Sequence, residues 1–239
     1  MTNFWRYRLF LPALVLLVGS AFAAYGAAPV KKSALPSKAK GAKIKCWYFS
    51  QKNMIFGDCE IYVCPQALKV TFANEKWANL AKPPDWDLLV FSPKAKIYCR
   101  TPLKEWRGRK LATAYVNGVK RLGKTEKVAG MTAKVYDAQS MEADGRAVSR
   151  IFVAEELGLP PQVSVILCGN AAIPQVKGIP LRVLHSGGEA PGRTVDTYVA
   201  KQMMMPAKFF EIPPGFRRVI KPEEVMTGGI SDIIEDMAK

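Results

Sequence analysis

The chain has 239 residues, of which 49% are hydrophobic and 23% are charged, so it can bury a sizeable core and wholesale disorder is excluded. Lys and Arg number 35 against 20 Asp and Glu, and the net charge of +15 favours an anionic partner without naming one. A single His and five Cys leave few groups for general-base catalysis or metal binding. Composition therefore argues against an enzyme that depends on His chemistry.

The first 23 residues have the pattern of a secretory signal peptide. Arg6 and Arg8 precede an apolar run over 9–19, and Ala21 and Ala23 supply the small residues that signal peptidase reads. We expect cleavage after Ala23 and a secreted or periplasmic mature protein. An uncleaved anchor is the alternative, but this apolar run is shorter than the roughly 20 residues that span a bilayer.

Two terminal segments differ in composition from the rest of the mature chain. Residues 24–42 hold four Lys and no acid among small residues and Pro, which predicts a flexible basic linker. Residues 221–239 are predicted to form an acidic tail. Within this tail Ile230, Ile233, Ile234 and Met237 have the spacing of a short amphipathic helix.

The region 43–220 is dominated by short segments in which apolar and polar residues alternate. This pattern, interrupted by turn residues such as Gly57-Asp58 and Asp144-Gly145, is typical of antiparallel strands joined by hairpins. We predict a mainly β domain, an antiparallel curved sheet forming an incomplete barrel with one or a few short helices. The predicted strands are 44–49, 59–63, 68–72, 86–91, 97–101, 131–140, 148–154, 181–186 and 194–203.

Helical patterns inside this domain are few. Short helices are predicted over 74–80 and 104–115, whereas 157–172 fits neither a strand nor a helix clearly. Helices should therefore cover only small parts of the sheet.

The segment 118–125, GVKRLGKT, matches the phosphate-loop pattern G-x-x-x-x-G-K-[ST]. A working loop of this kind lies between a strand and a helix, but here Val128-Ala129-Gly130 follows and a strand begins. No apolar run ends in an Asp that could hold magnesium. We therefore expect this segment not to bind a nucleotide, and we expect no cofactor.

The five cysteines would meet an oxidising compartment if the signal peptide is used. Cys46 and Cys59 flank the first hairpin and are the leading candidates for a disulfide, while an odd count leaves at least one thiol free. Buried, unpaired cysteines are the alternative. A zinc site built from Cys59 and Cys64 with Cys99 or His185 lacks a second closely spaced pair, so no metal site is predicted.

Three segments resemble the LolA/LolB-like half-barrel class of secreted bacterial proteins. They are Lys124–Tyr136 with its VAGM turn, Gly178–Leu184 followed by Gly187-Gly188, and Phe210–Phe216 with the pattern F-x-I-P-x-G-F. The resemblance covers about residues 43–220. It implies an incomplete antiparallel barrel that wraps a helix or lid and can hold acyl chains on its concave apolar face.

These observations predict a non-enzymatic extracytoplasmic binding protein that holds a lipid, a lipoprotein or another amphiphile. No nucleophile, base and orienting group come together in the sequence, so no catalytic residue is assigned, and no nucleic-acid-binding motif is present. Alternation alone does not decide which side of each strand faces a ligand. The candidate lining residues are Trp47, Phe49, Leu89, Phe91, Met131, Val135 and Phe152.

The alternative function is a structural or adhesive protein of the cell envelope. In that case the basic surface, including residues 24–42, would bind an anionic cell-surface polymer and no pocket ligand would be needed. Salt separates the two functions, since polymer binding weakens steeply with ionic strength and apolar binding does not.

Overall fold

A computed structural model describes residues 42–72, 77–108, 114–142, 145–186 and 192–227. The predicted signal peptide, most of the basic linker and the amphipathic helix over 230–237 lie outside these residues. The strands are β1 Lys43–Asn53, β2 Gly57–Cys64, β3 Ala67–Phe72, β4 Ala78–Ala81, β5 Leu88–Ser92, β6 Ile97–Thr101, β7 Ala114–Val128, β8 Met131–Glu142, β9 Gly145–Ala154, β10 Ile179–His185, β11 Gly192–Pro206 and β12 Arg217–Arg218. The helices are α1 Leu103–Gly108, α2 Pro161–Asn170 and α3 Pro222–Met226, with a 3-10 turn at Ala207–Phe210.

All twelve strands belong to one sheet, in the order β12-β6-β5-β4-β3-β2-β1-β11-β10-β9-β8-β7. Neighbouring strands are antiparallel except β12 and β6, which are parallel. The sheet is not closed into a barrel, because β7 and β12 remain at its two edges. The predicted fold class, a mainly β antiparallel sheet with a few short helices, is confirmed.

Each face of the sheet is covered in part by other segments of the chain. Alternate residues of a strand point to opposite faces, and the buried apolar residues form three separate clusters. The smallest sequence span belongs to the cluster in which Cys168 of α2 packs with Ile151 and Val183. We call one face the helix face, since its residues pack with α2; it includes Phe49, Ile61, Leu88 and Val135. The other is the C-terminal face, where Cys46, Cys64, Leu80 and Phe91 pack with Phe210.

Helix α2 is apolar on nearly every side, and this is why its segment gave no clear period in the sequence. Its buried residues follow one another without a gap from Val163 to Cys168. The helix begins at Pro161, where a missing backbone N–H costs nothing. It packs closely against Trp106, because a Cβ at Gly169 would lie 2.5 Å from the Trp106 ring nitrogen and would displace that side chain. It therefore serves as the central core element of the helix face.

Some boundaries differ from the sequence-based predictions. The helix predicted over 74–80 is wrong in its described part, since residues 78–81 form strand β4 between β3 and β5. The helix predicted over 104–115 is shorter, because α1 ends at Gly108 and β7 begins at Ala114. The strand predicted from Trp86 begins at Leu88, because the Trp86 N–H closes a turn onto the Lys82 carbonyl at 2.9 Å.

The segment 118–125, which matches the phosphate-loop pattern, lies inside β7. It pairs with β8 through a register interrupted by irregularities, and the strand continues to Val128 with no helix after it. The strand-to-helix geometry that cradles phosphate is therefore not formed by these residues.

Replacing Gly178 with Ala tests the junction between β9 and β10. Gly178 has φ +119°, and a Cβ there would lie 2.3 Å from the Ala154 carbonyl oxygen. We expect Gly178→Ala to lower the free energy of unfolding by roughly 2 kcal/mol or more, because the backbone itself must shift. Urea unfolding measures this, with Gly118→Ala as the control: a Cβ at Gly118 meets nothing within 4 Å, so its effect should stay within about 0.5 kcal/mol. Equal effects of the two variants would contradict the prediction.

Candidate functional site

The seven candidate lining residues do not share one face. Five of them lie on the helix face: Phe49, Val135 and Phe152 are buried there, while Trp47 and Met131 pack partly exposed against the same cluster. Leu89 and Phe91 lie on the C-terminal face, because Leu88 and Val90 occupy the helix-face positions of β5. Strand parity thus divides the predicted set between two separate surfaces.

Helix α2 fills the centre of the helix face. Ile166 is fully buried and Leu167 is 4% exposed, in the same cluster as Phe49 and Phe152. A ligand cannot occupy that volume while the helix is in place, since protein interiors are close-packed. Space for a ligand on this face must therefore lie beside the helix.

Such a space exists at the first turns of α2. A cavity of about 360 Å³ opens between this end of the helix, the end of β9 and the start of β10. This volume lies at the lower end of the range of small-molecule sites. The lining is mostly apolar and consists of Ala154, Glu155, Leu157, Leu159, Pro160, Pro161, Val163, Ser164, Gln175, Val176, Lys177, Gly178 and Ile179. We call it the α2 pocket.

Besides Glu155, the polar side chains of the α2 pocket are Ser164 of α2 and Gln175 and Lys177 of the segment before β10. The Ser164 hydroxyl donates to the Val176 carbonyl, and the Gln175 side-chain amide donates to the Ser164 oxygen at 2.9 Å. Gln175 and Lys177 are exposed, whereas Val163, Val176 and Ile179 are buried. The pocket therefore has an apolar interior and a polar mouth with a cationic side chain.

Glu155, at the edge of the α2 pocket, is held in a charged network. Its carboxylate, whose side chain is 11% exposed, lies 2.8 Å from the Lys134 ammonium and accepts a hydrogen bond from the Tyr136 hydroxyl. Burial alone would raise the pKa of Glu155, but the hydrogen bonds from Lys134 and Tyr136 outweigh it, so the pKa is lowered. Glu155 is thus kept ionised, and it fixes the end of β9 to β8.

A second, more open cavity of about 600 Å³ lies on the C-terminal face, between β4–β6 and the segment 211–218. Arg100 in its wall is engaged by Asp87 at 2.7 Å and Asp85 at 3.3 Å. Within the described residues, neither Lys82 nor Arg218 forms an ion pair. We call it the basic groove; it is lined by Leu80, Lys82, Leu89, Tyr98, Arg100, Glu211, Ile212, Pro213, Pro214, Gly215, Phe216 and Arg218.

The predicted disulfide between Cys46 and Cys59 is wrong. Cys59 lies opposite Gln51, five residues along β1 from Cys46, which is about 16 Å of strand and far beyond the reach of a disulfide. The two side chains also lie on opposite faces, Cys46 on the C-terminal face and Cys59 on the helix face. All five thiols are free and buried.

Metal binding finds no support in the described part of the chain, where no group of three or more His, Cys, Asp or Glu side chains could hold an ion. Cys59 and Cys64 point to opposite faces of β2, which prevents them from sharing a metal. His185 bonds through Nδ1 to the Ser149 hydroxyl at 2.9 Å.

No helix in the described part of the chain is both long and apolar enough to cross a membrane.

Sequence reasoning missed both cavities. The α2 pocket lies in the segment that fitted neither period, although Pro160-Pro161 before an apolar run is a helix-start signal that could have located it. The basic groove needs residues from β4 to β6 together with a segment more than a hundred residues later. Only Leu89 among the predicted residues lines either cavity.

Comparison with known proteins adds no family. No protein-family model and no curated protein matches the chain. Among solved structures, an uncharacterized conserved protein from Thermus thermophilus is similar over 74% of this chain and 90% of that chain, with 10% identity and a TM-score of 0.38. Likeness at this level carries no argument about fold or function.

The lowered pKa of Glu155 predicts a pH-dependent contribution to stability. Its interaction with Lys134 is fully present above the ordinary carboxyl pKa and is lost as the pH falls through the lower folded value. Glu155→Gln should therefore lower the free energy of unfolding near neutral pH, and the difference from the wild type should shrink towards about pH 3. Urea unfolding at both pH values measures this.

Glu156→Gln is the matched control for this prediction. Glu156 also lies 3.0 Å from Lys134, but it is 85% exposed, so solvent screens the pair and the effect should stay below about 0.5 kcal/mol. A Glu155→Gln penalty that is the same at both pH values would remove the electrostatic explanation.

Proposed function

We propose that this protein is a non-enzymatic extracytoplasmic binding protein that holds an amphiphile, with the apolar part of the ligand in the α2 pocket. The observation that carries the proposal is the composition of that pocket. Leu157, Leu159, Val163, Val176 and Ile179 offer an apolar interior next to a polar mouth. Each ligand methylene transferred from water into such an interior contributes roughly 0.8 kcal/mol.

The mouth supports an amphiphile with an anionic or hydrogen-bonding headgroup. Lys177 and Gln175 are exposed there and can reach a headgroup, while the chain's net charge of +15 favours the approach of anions. The negative charge of Glu155 is balanced by the positive charge of Lys134, so Glu155 opposes an anion less than an unpaired carboxylate would.

The absence of catalysis is part of the proposal. Ser164 is the one hydroxyl side chain among the lining residues of the α2 pocket, and it donates to the Val176 carbonyl instead of to a base. The extracytoplasmic location rests on the signal-peptide pattern over 1–23. The resemblance to LolA/LolB-like proteins points to the same ligand class, a lipid or lipoprotein.

Filling the α2 pocket tests the proposal. Leu159 is partly exposed and lines the pocket, so Leu159→Trp should block it without opening the core. We expect binding of dansylated undecanoic acid to weaken by about tenfold or more, the loss from displacing about two methylenes. Fluorescence titration at low and high salt measures the affinity, which should fall far less with salt than the affinity for a polyanion.

The matched control is Leu122→Trp. Leu122 is also partly exposed and packs against the same cluster, but it does not line the pocket, so its affinity should equal that of the wild type. Equal binding by both variants, with circular dichroism confirming that both are folded, would refute the α2 pocket as the ligand site. Native mass spectrometry before and after organic extraction would then show whether the wild type carries any apolar ligand at all.

A second candidate function, binding of an anionic envelope polymer, is favoured by the basic groove. Lys82 and Arg218 form no ion pair among the described residues, and the adjacent Tyr98 and Phe216 provide flat apolar surfaces. An open groove with cationic side chains suits a polyanion better than an acyl chain. The two functions use different faces and can be tested separately.

Charge reversal in the basic groove tests this second function. Lys82→Glu combined with Arg218→Glu should shift elution from a heparin column to lower salt, since two cations become anions at the contact. Lys94→Glu is the control, because Lys94 is exposed but does not line the groove. If Lys94→Glu shifts elution as much per charge, binding follows net charge and the groove is not the site.

A further inference from the structure

Cys46 and Cys64 lie opposite each other on neighbouring strands. Trp47 pairs with Val63 in the antiparallel register of β1 and β2, so the next position along each strand brings Cys46 against Cys64. Both side chains point to the C-terminal face, where they belong to the same buried cluster. We propose that these two residues form a disulfide when the protein folds in an oxidising compartment. The inference does not depend on the proposed ligand.

The backbone geometry at this pair suits a disulfide. Cys64 pairs with Ala67 across a two-residue turn, which directs its backbone N–H and C=O towards β3. Towards β1 the same residue therefore occupies a non-hydrogen-bonded position, where opposite Cα atoms lie about 4.5 Å apart. This separation is within the range that disulfides require, roughly 4.4–6.8 Å.

The other three cysteines have different surroundings. The Cys59 thiol donates to the Gln51 carbonyl at 3.3 Å, and the Cys99 thiol donates to the Ile220 carbonyl at 3.1 Å. Cys168 is buried in α2, in a cluster that contains none of the other four. One disulfide and three free thiols account for the odd number of cysteines.

The bond should form before the C-terminal face is covered. Burial, and then the nearby Cys64, raise the pKa of Cys46 to about 11, so in the folded protein this thiol is protonated and is a poor nucleophile. Strands β1 and β2 are adjacent in the chain, whereas Phe210, which covers the pair, comes far later. Pairing of the two strands can thus precede the arrival of the covering segment.

Oxidised glutathione supplies the chemistry in a refolding experiment. A thiolate of one cysteine attacks the glutathione disulfide, releasing one glutathione thiolate and leaving a mixed disulfide. The second cysteine thiolate then attacks the protein sulfur of that mixed disulfide and releases the second glutathione. Two protein thiols are oxidised, and one glutathione disulfide is reduced to two thiols.

The test is a peptide map of the full chain refolded with oxidised and reduced glutathione. Free thiols are blocked with N-ethylmaleimide in denaturant, which exposes the buried cysteines, before digestion with trypsin and a Glu-specific protease. Cleavage after Glu60 separates Cys59 from Cys64, which trypsin alone would leave in one peptide. We expect a cross-linked pair consisting of peptides 46–52 and 61–69, with maleimide on Cys59, Cys99 and Cys168.

Maleimide on both Cys46 and Cys64, or a link from either to another cysteine, would overturn the proposal. Cys64→Ala should abolish the link, and Cys59→Ala should leave it intact, which makes Cys59→Ala the matched control.

Thermal unfolding gives a test that does not depend on the peptide map. Reduction of the folded wild type should lower Tm by about 5–10 °C, as expected for opening a loop of this length, and reduction of Cys64→Ala should not.

Discussion

The burial of α2 against the sheet is the constraint on which the rest of this structure depends. A sheet of twelve strands that does not close on itself has an apolar face that must be covered. In a closed barrel, the side chains of that face would pack against one another in the barrel interior. Here Val163, Ile166 and Leu167 join the cluster to which each of the strands β1–β10 contributes, so a single ten-residue helix replaces barrel closure. The α2 pocket lies beside the first turns of this helix.

Buried amides set the position of this helix along the sheet. The Asn53 side chain accepts the Ile55 N–H at 2.8 Å and donates to the Asn170 carbonyl at 3.4 Å, linking the β1–β2 turn to the end of α2. Gln51 donates to the Pro180 carbonyl at 2.9 Å and to Thr197 at 2.8 Å, which fixes β1 to the strand that follows the helix. Apolar packing would tolerate sliding, but directional bonds among buried groups do not.

Strand content could be predicted from the sequence because alternation survives wherever one side of a strand meets a core. Cys59, Ile61 and Val63 show it clearly, and they face the helix side as one set. Strand β4 was missed because Ala78, Leu80 and Ala81 are buried together with Asn79, so a strand covered on both faces loses its alternation. Helix α2 was ambiguous for the same reason.

The site could be predicted less well, since it depends on parity and register. Alternation shows that residues 89 and 91 lie on one side of β5, but only the packed sheet shows that this side is opposite to Phe49. Similarly, Cys46 and Cys59 are nearer in sequence than Cys46 and Cys64, yet the register of β1 and β2 brings the more distant pair together. Sequence separation does not determine which residues of a hairpin meet.

Strand β7 leaves one whole edge of the sheet without a neighbour in the described fold. Along this fifteen-residue strand, the backbone groups that do not bond to β8 face outward, a template on which strands of other molecules could assemble. Lys120, Lys124 and Lys127 are exposed along it, its register against β8 is broken at three places, and Gly123 has φ +68°. Charge and irregularity keep a second copy from aligning. The residues that imitate a nucleotide-binding loop thus supply the charge and irregularity that disfavour pairing of this edge with another strand.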